Sequence, residues 1–223
     1  MKVLFVGDIV GRAGRRAVIS LLPSLRERHR VDICIANCEN AAGGFGITPE
    51  ITRTLLNLGI DVLTSGNHIW DRREIVEFIS TEPRLLRPCN YPEGLPGRGV
   101  AVVSAPGGTL VGVINLSGRV FLDPLDCPFR TADREIKAIQ DQVNVIVVDF
   151  HAEATSEKMA MGWYLDGRVG AVIGSHTHVQ TADETILPQG TAYITDMGMT
   201  GPINSVIGME KDVIIERFLS GLP

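Results

Sequence analysis

Short apolar runs rich in valine and isoleucine recur along this chain with little polar alternation inside them. They are Val3–Val6, Val31–Ala36, Ile60–Leu63, Val100–Val103, Val111–Leu116, Val143–Val148 and Val169–Ile173, with a weaker one at Ala192–Thr195. Runs of this kind predict strands buried on both faces. Segments of helical period separate the early runs. Gly14–Arg30 places Ala17, Val18, Leu21, Leu22 and Leu25 on one side, with a kink expected at Pro23. Thr48–Leu58 opens with Thr48 as N-cap and Pro49 at the first helical position. Asp71–Ser80 and Thr131–Gln142 read as two more helices. Alternating strand and helix predict a mainly parallel sheet with right-handed crossovers. Val100–Leu116 differs: two runs flank Ser104–Gly108, a hairpin signal, so a second sheet or an antiparallel part is expected. Phe218–Pro223 offers no recognisable closing element.

A chain of 223 residues, 44% hydrophobic and 21% charged, suits one globular domain, and residues 1–223 are read as one. The net charge of −5 argues against a generic basic surface for nucleic acid. A small phosphate ester could still bind where metal ions reverse the local charge. Cys34, Cys38, Cys89 and Cys127 form no CxxC pair and read as reduced thiols of a cytoplasmic protein. Met1–Val6 is too short for a signal sequence and is interrupted at Asp8. No apolar run approaches the roughly 20 residues that span a bilayer, so no membrane association is expected.

The residues that carry chemistry stand just past the ends of these runs. Gly7-Asp8 follows the first, Asn37-Cys38-Glu39-Asn40 the second and Gly66-Asn67-His68 the third. Asp149 and His151, then Gly174-Ser175-His176-Thr177-His178, then Asp196 follow later ones. The carboxyl ends of parallel strands converge on one crevice. Four of the five histidines therefore share a rim with Asp8, Glu39, Asn40 and Asn67; His29 alone falls outside. Taken singly, Asp8 could be a helix cap, Glu39-Asn40 a solvated turn, Asn67-His68 an exposed loop and His151 a structural histidine. His176 and His178, two apart on an extended segment, would point the same way. Jointly, the pattern favours metal. Carboxylates, side-chain amides and imidazoles without a required thiolate suit iron, manganese, zinc or cobalt. The ligands are too many for one tetrahedral ion. Two ions roughly 3.5–4 Å apart accommodate them, with a bridging hydroxide as the nucleophile for phosphoryl displacement.

Gly66-Asn67-His68, His151 and Gly174-Ser175-His176-Thr177-His178 resemble the calcineurin-like metallophosphoesterases. That pattern also has Asp-x-His after the first strand and Gly-Asp-x-x-Asp after the second. Here Asp8-Ile9-Val10 lacks the histidine, and Glu39-Asn40 stands where the bridging aspartate is expected. These departures resemble the YmdB-like branch, over Lys2 to the end of the chain. The resemblance implies a four-layer α/β/β/α sandwich of the metallophosphoesterase type. It implies one ion held by Asp8, Glu39, Asn40 and His178, and another by Glu39, Asn67, His151 and His176, with Glu39 bridging. It also implies His68 as general acid, and two iron ions per chain with manganese as a substitute. Members of the branch continue past the point where this chain stops, so a C-terminus short of the family's length is expected.

The leading functional expectation is hydrolysis of 2′,3′-cyclic nucleotides to 3′-nucleotides, with a small-molecule substrate, no stable nucleic-acid complex and self-association left open. A phosphatase or nuclease using the same site is a second reading. A basic channel or aromatic platform would favour long nucleic acid, but aromatics are only 5% and the charge is negative. A regulatory metal-binding protein is a third. His68 argues against it, since a structural site needs no proton donor beside its ions.

Overall fold

The structure, a computed structural model, describes residues 1–222. β1 (Val3–Val6) and β2 (Asp8–Ile9) lead into α1 (Gly11–His29), followed by β3 (Ile33–Asn37), α2 (Pro49–Asn57), β4 (Val62–Thr64) and the short α3 (Ile75–Phe78). β5 (Val100–Ser104) and β6 (Leu110–Ser117) form the expected hairpin, turning through a 3-10 segment at Pro106–Gly108. Next come α4 (Pro128–Ile139), β7 (Val145–His151), α5 (Thr155–Leu165) and β8 (Ala171–Ser175). They are followed by β9 (Thr185–Ile186), β10 (Ala192–Ile194), β11 (Met199–Thr200) and α6 (Lys211–Ser220).

One sheet, in the order β1-β3-β4, is wholly parallel. The second runs β5-β6-β7-β8-β10-β9, parallel from β6 to β10 and antiparallel at both ends. β2 pairs in parallel with β11. The twofold period of the strands sorts their side chains into separate apolar layers. In β3, Cys34 and Ala36 pack with Val18 and Leu22 of α1 and Leu55 of α2. Ile33 and Ile35 point the other way and meet Val111 and Val113 of β6 and Val147 of β7 between the two sheets. On the far side of the second sheet, Ile114, Val148 and Phe150 pack on Ile136 of α4 and Met161 of α5. Three apolar layers between four layers of elements make the α/β/β/α sandwich. Each fully buried Val, Ile or Phe in them contributes about 1.5–3 kcal/mol, which is why the runs carry no polar alternation.

Local signals fared unevenly. The Thr48 hydroxyl accepts the Ile51 N–H at 3.2 Å, and Pro49 opens α2. α1 begins earlier than expected and runs on across Pro23, which sits on its exposed side, where water can satisfy the freed carbonyl. Asp71–Ser80 is not one helix; only Ile75–Phe78 is helical. Asp71 and Arg72 instead turn their side chains to His68 and to the carbonyls of Ala42 and Phe45. Asp149 and His151 lie inside β7, not beyond it. The end of the chain, expected to lack an element, carries α6. Among the described residues, no helix is long and apolar enough to cross a membrane.

Candidate metal centre

Strand ends deliver the donors to one place. Asp8 sits on β2, fully buried, and its Oδ2 accepts the His176 N–H at 2.9 Å. After β3, Asn37 Oδ1 accepts the Glu39 N–H at 3.1 Å, turning the chain so that Glu39 and Asn40 face inward, both buried. Asn67 and His68 follow β4 through Gly66. A Cβ on Gly66 would lie 2.1 Å from His151 Cδ2 and 2.3 Å from Glu39 Oε2, so no side chain fits there. His151 ends β7, and His176 and His178 follow β8.

The donors converge on His151 Nε2. Glu39 Oε1 lies 2.9 Å from it, His176 Nδ1 3.0 Å and Asn67 Oδ1 3.2 Å. Glu39, His151 and His176 offer ligand atoms all within 4.8 Å of one another. Asp8 Oδ1 is 4.0 Å from His151 Nδ1, and Asp8 Oδ2 is 4.0 Å from His178 Nε2. His178 Nδ1 donates to the Ile207 carbonyl at 2.8 Å, which leaves Nε2 turned toward Asp8. His68 lines the same cleft. Its Nδ1 meets Asp71 Oδ2 at 2.8 Å, and its backbone N–H donates to Glu39 Oε2 at 3.3 Å. All eight residues expected from the sequence thus share one locale, although the cluster within 4.8 Å contains only three of them.

The electrostatics of the cluster ask for a cation. Burial raises Asp8's carboxyl well above the usual range, and the nearby Glu39 charge adds to the rise. Burial works most strongly to raise Glu39, but the charge and hydrogen bond of His151, together with the charges of His176 and His68, jointly outweigh it and hold that carboxyl down at about 2. Burial works to lower His151, yet Glu39 lifts it to about 9. His176 is pushed down to about 3 by burial and by the adjacent positive His151, so it presents a neutral imidazole. A single proton on His151 Nε2 can satisfy one of the three lone-pair donors around it, whereas a metal ion can be shared by all. Two buried oxygens, Asp8 Oδ1 and Asn40 Oδ1, have no hydrogen-bond partner. Orphaned buried acceptors are costly, and here both belong to residues of the expected donor set. Mixed nitrogen and oxygen donors, no thiolate and unsatisfied oxygens fit a divalent transition-metal site.

Supporting contacts lie beyond the residues singled out in the sequence. His151 Nδ1 lies 2.9 Å from Ser175 Oγ, and that hydroxyl donates to Asp149 Oδ1 at 2.6 Å. Ser175 therefore accepts the His151 Nδ1 proton and fixes the tautomer that turns Nε2 to the donors, as second-tier partners commonly do. Asn37 donates to the other Asp149 oxygen at 3.1 Å. The sequence marks Asp149 only as a strand-end residue; the serine inside the histidine motif is the signal that could have shown its role. Glu153 Oε2, 3.2 Å from His176 Nε2, carries no such signal. The extended geometry expected for His176-Thr177-His178 is wrong. His176 has φ 101° and His178 φ 65°, left-handed values that are rare for side-chain-bearing residues. Asp196 holds the segment, accepting the Thr177 N–H at 3.1 Å, its hydroxyl at 2.8 Å and the Lys158 ammonium at 2.6 Å.

A four-layer sandwich with mixed nitrogen and oxygen donors gathered at the carboxyl ends of its strands has the metallophosphoesterase fold. The chain belongs to the YmdB-like protein family, whose model matches residues 4–223. A Bacillus subtilis (strain 168) protein named 2′,3′-cyclic-nucleotide 2′-phosphodiesterase is 53% identical over 223 residues, covering 100% of this chain and 84% of that protein. The crystal structure of a hypothetical protein from Thermus thermophilus matches with a TM-score of 0.94 at 46% identity, covering 100% of this chain and 86% of that one. That of a novel phosphatase from Mycoplasma pneumoniae matches with a TM-score of 0.92 at 34% identity, covering 100% and 80%.

Proposed function

We propose that this chain is a metal-dependent phosphodiesterase that opens 2′,3′-cyclic nucleotides to 3′-nucleotides. In this reading Asp8, Glu39, Asn40, Asn67, His151, His176 and His178 hold two ions, iron with manganese as a substitute, and Glu39 is shared between them. The observation that carries it is that two residues of the same donor set as the Glu39–His151–His176 cluster, Asp8 and Asn40, each keep a buried oxygen, Asp8 Oδ1 and Asn40 Oδ1, without a partner. When bound, the ions supply an activated water as nucleophile and positive charge for the phosphoryl oxygens. The substrate class rests on the 53% identity to the Bacillus subtilis enzyme.

The chain's own part is to position and to move a proton. Ser175 and Asp149 orient His151, and Asp196 sets the backbone that carries His176 and His178. Asp71 holds His68 through Nδ1, which turns its other nitrogen, Nε2, to the task of general acid. As the bond between phosphorus and the 2′ oxygen breaks, His68 Nε2 gives its proton to that oxygen. The cleft beside the donors has a volume of about 510 Å³ and, among the described residues, no lysine or arginine lining it. That suits one mononucleotide better than a polyanionic strand, which disfavours the nuclease reading. The reading treats residues 1–223 as one domain of a cytoplasmic protein, in whose compartment four free thiols persist.

Incubation with 2′,3′-cyclic AMP, followed by chromatographic separation of 2′-AMP from 3′-AMP, tests it. A single product is expected, because in-line geometry places one ribose oxygen at a time opposite the nucleophile, and likeness to the Bacillus subtilis 2′-phosphodiesterase makes that product 3′-AMP. Predominant 2′-AMP would overturn the regiochemistry. No turnover with metals bound would favour a regulatory metal protein.

A further inference from the structure

Within the cleft next to the donor cluster, a phenylalanine ring is displayed rather than packed away. Phe45 is 46% exposed and lines the cleft beside His68, with ring centroids 5.0 Å apart at 69°. Its setting is built to hold it there. Gly43, Gly44 and Gly46 have φ values of 74°, 105° and 72°, so the turn needs glycine on both sides of the phenylalanine. The turn is closed by hydrogen bonds. Ala42 N–H donates to the Gly46 carbonyl at 2.9 Å, and Asn40 Nδ2 donates to the Gly44 carbonyl at 2.8 Å. Arg72 clamps it from behind, Nε donating to the Phe45 carbonyl at 3.0 Å and Nη2 to that of Ala42. A Cβ on Gly46 would come within 2.9 Å of Arg72 Cγ, so the clamp and the glycine fit each other. The loop is satisfied in its own hydrogen bonds and presents one half-exposed ring at its tip, a surface ready for stacking.

Ile207, Met209 and Val213 line the same cleft and are also exposed. The carboxylates at the cleft are Glu39, Glu153 and Glu210, and among the described lining residues no lysine or arginine would meet a second phosphate. The space beyond the donors is therefore suited to a neutral, planar, largely apolar group. We infer that this part of the cleft is a nucleobase site in which the heterocycle of a cyclic mononucleotide stacks on Phe45. The inference rests on the proposed phosphodiesterase activity, which the donor cluster supports independently of Phe45.

The test compares 2′,3′-cyclic AMP with glycerol 1,2-cyclic phosphate, which keeps the five-membered cyclic phosphodiester and has no base. The ratio of kcat/KM for the first to the second is measured for the metal-loaded protein, Phe45→Ala and Phe45→Trp. Base stacking on an aromatic side chain predicts that Phe45→Ala lowers that ratio roughly tenfold or more, chiefly through KM for the nucleotide, and that Phe45→Trp preserves it. A proportionate loss on both substrates, leaving the ratio unchanged, would overturn the base site and assign Phe45 to orienting His68 through their edge contact. Failure of the unsubstituted protein to open either cyclic phosphate would overturn both the activity and the base site, an outcome distinct from a lost preference.

Discussion

At the scale of single residues, the decisive feature is how the donors are aimed. Glu39 directs Oε1 to His151 and Oε2 toward the His68 backbone, so each of its oxygens faces a different part of the cluster. His68 stands apart from the buried donors. It is partly exposed and anchored to Asp71, a placement suited to delivering a proton and not to holding an ion. His68→Ala should therefore keep its metal content and lose about 10²–10⁴-fold in turnover of 2′,3′-cyclic AMP. The loss should shrink for aryl phosphodiesters, whose leaving groups depart without protonation. A uniform loss across leaving groups, measured as a plot of rate against leaving-group pKa, would make His68 a phosphate-positioning residue instead.

Elements decide whether these side chains meet. The segment after β8 carries two histidines in left-handed backbone, a conformation that needs support. Asp196 provides it, binding Thr177 twice, the Gly198 N–H at 2.7 Å and the buried Lys158 ammonium of α5. Asp196→Ala would leave that ammonium buried and unpaired, at a cost of about 3–5 kcal/mol. Urea unfolding should show a loss of that order together with weakened metal binding; a change under about 1 kcal/mol would mean the pair is not a structural support. The same contacts explain what was legible in the sequence. Strands such as β3 and β7 were readable because both faces are buried in apolar layers, which leaves unbroken Val and Ile runs. α5 was not, because its buried face includes Lys158 and Glu157, satisfied by Asp196 and by the N–H groups of Arg119 and Val120. Asp71–Ser80 has helical spacing, but Asp71 and Arg72 are committed to His68 and the Phe45 turn. Most candidate donors were legible from their positions after the strands, although Asp8 lies within β2 and His151 ends β7. Their backing by Ser175, Asp149 and Asp196 was not, since a long-range hydrogen bond leaves no periodic trace.

For the whole molecule, the apolar layers seal three of the four thiols. Cys34, Cys38 and Cys89 are buried and Cys127 is partly exposed. Burial pushes the Cys34 thiol up to about 12 and raises Cys38 and Cys89 as well, so all three stay protonated and unreactive near pH 8. A thiol reagent at that pH should label Cys127 alone in the native protein and all four in denaturant; fast native labelling of Cys38 would contradict the sealed core. The sandwich's largest consequence is that five strand ends meet at one buried, cation-demanding cluster. The direct test is to strip the protein with chelator and add Mn²⁺ stepwise. Bound metal and 2′,3′-cyclic AMP turnover are then measured on the same samples of the parent and Glu39→Ala proteins. No turnover is expected when stripped, full turnover only as occupancy reaches two ions per chain, and loss of both ions in Glu39→Ala. Full turnover in the stripped protein or with one ion bound, or two ions retained without Glu39, would contradict a two-ion centre shared through Glu39.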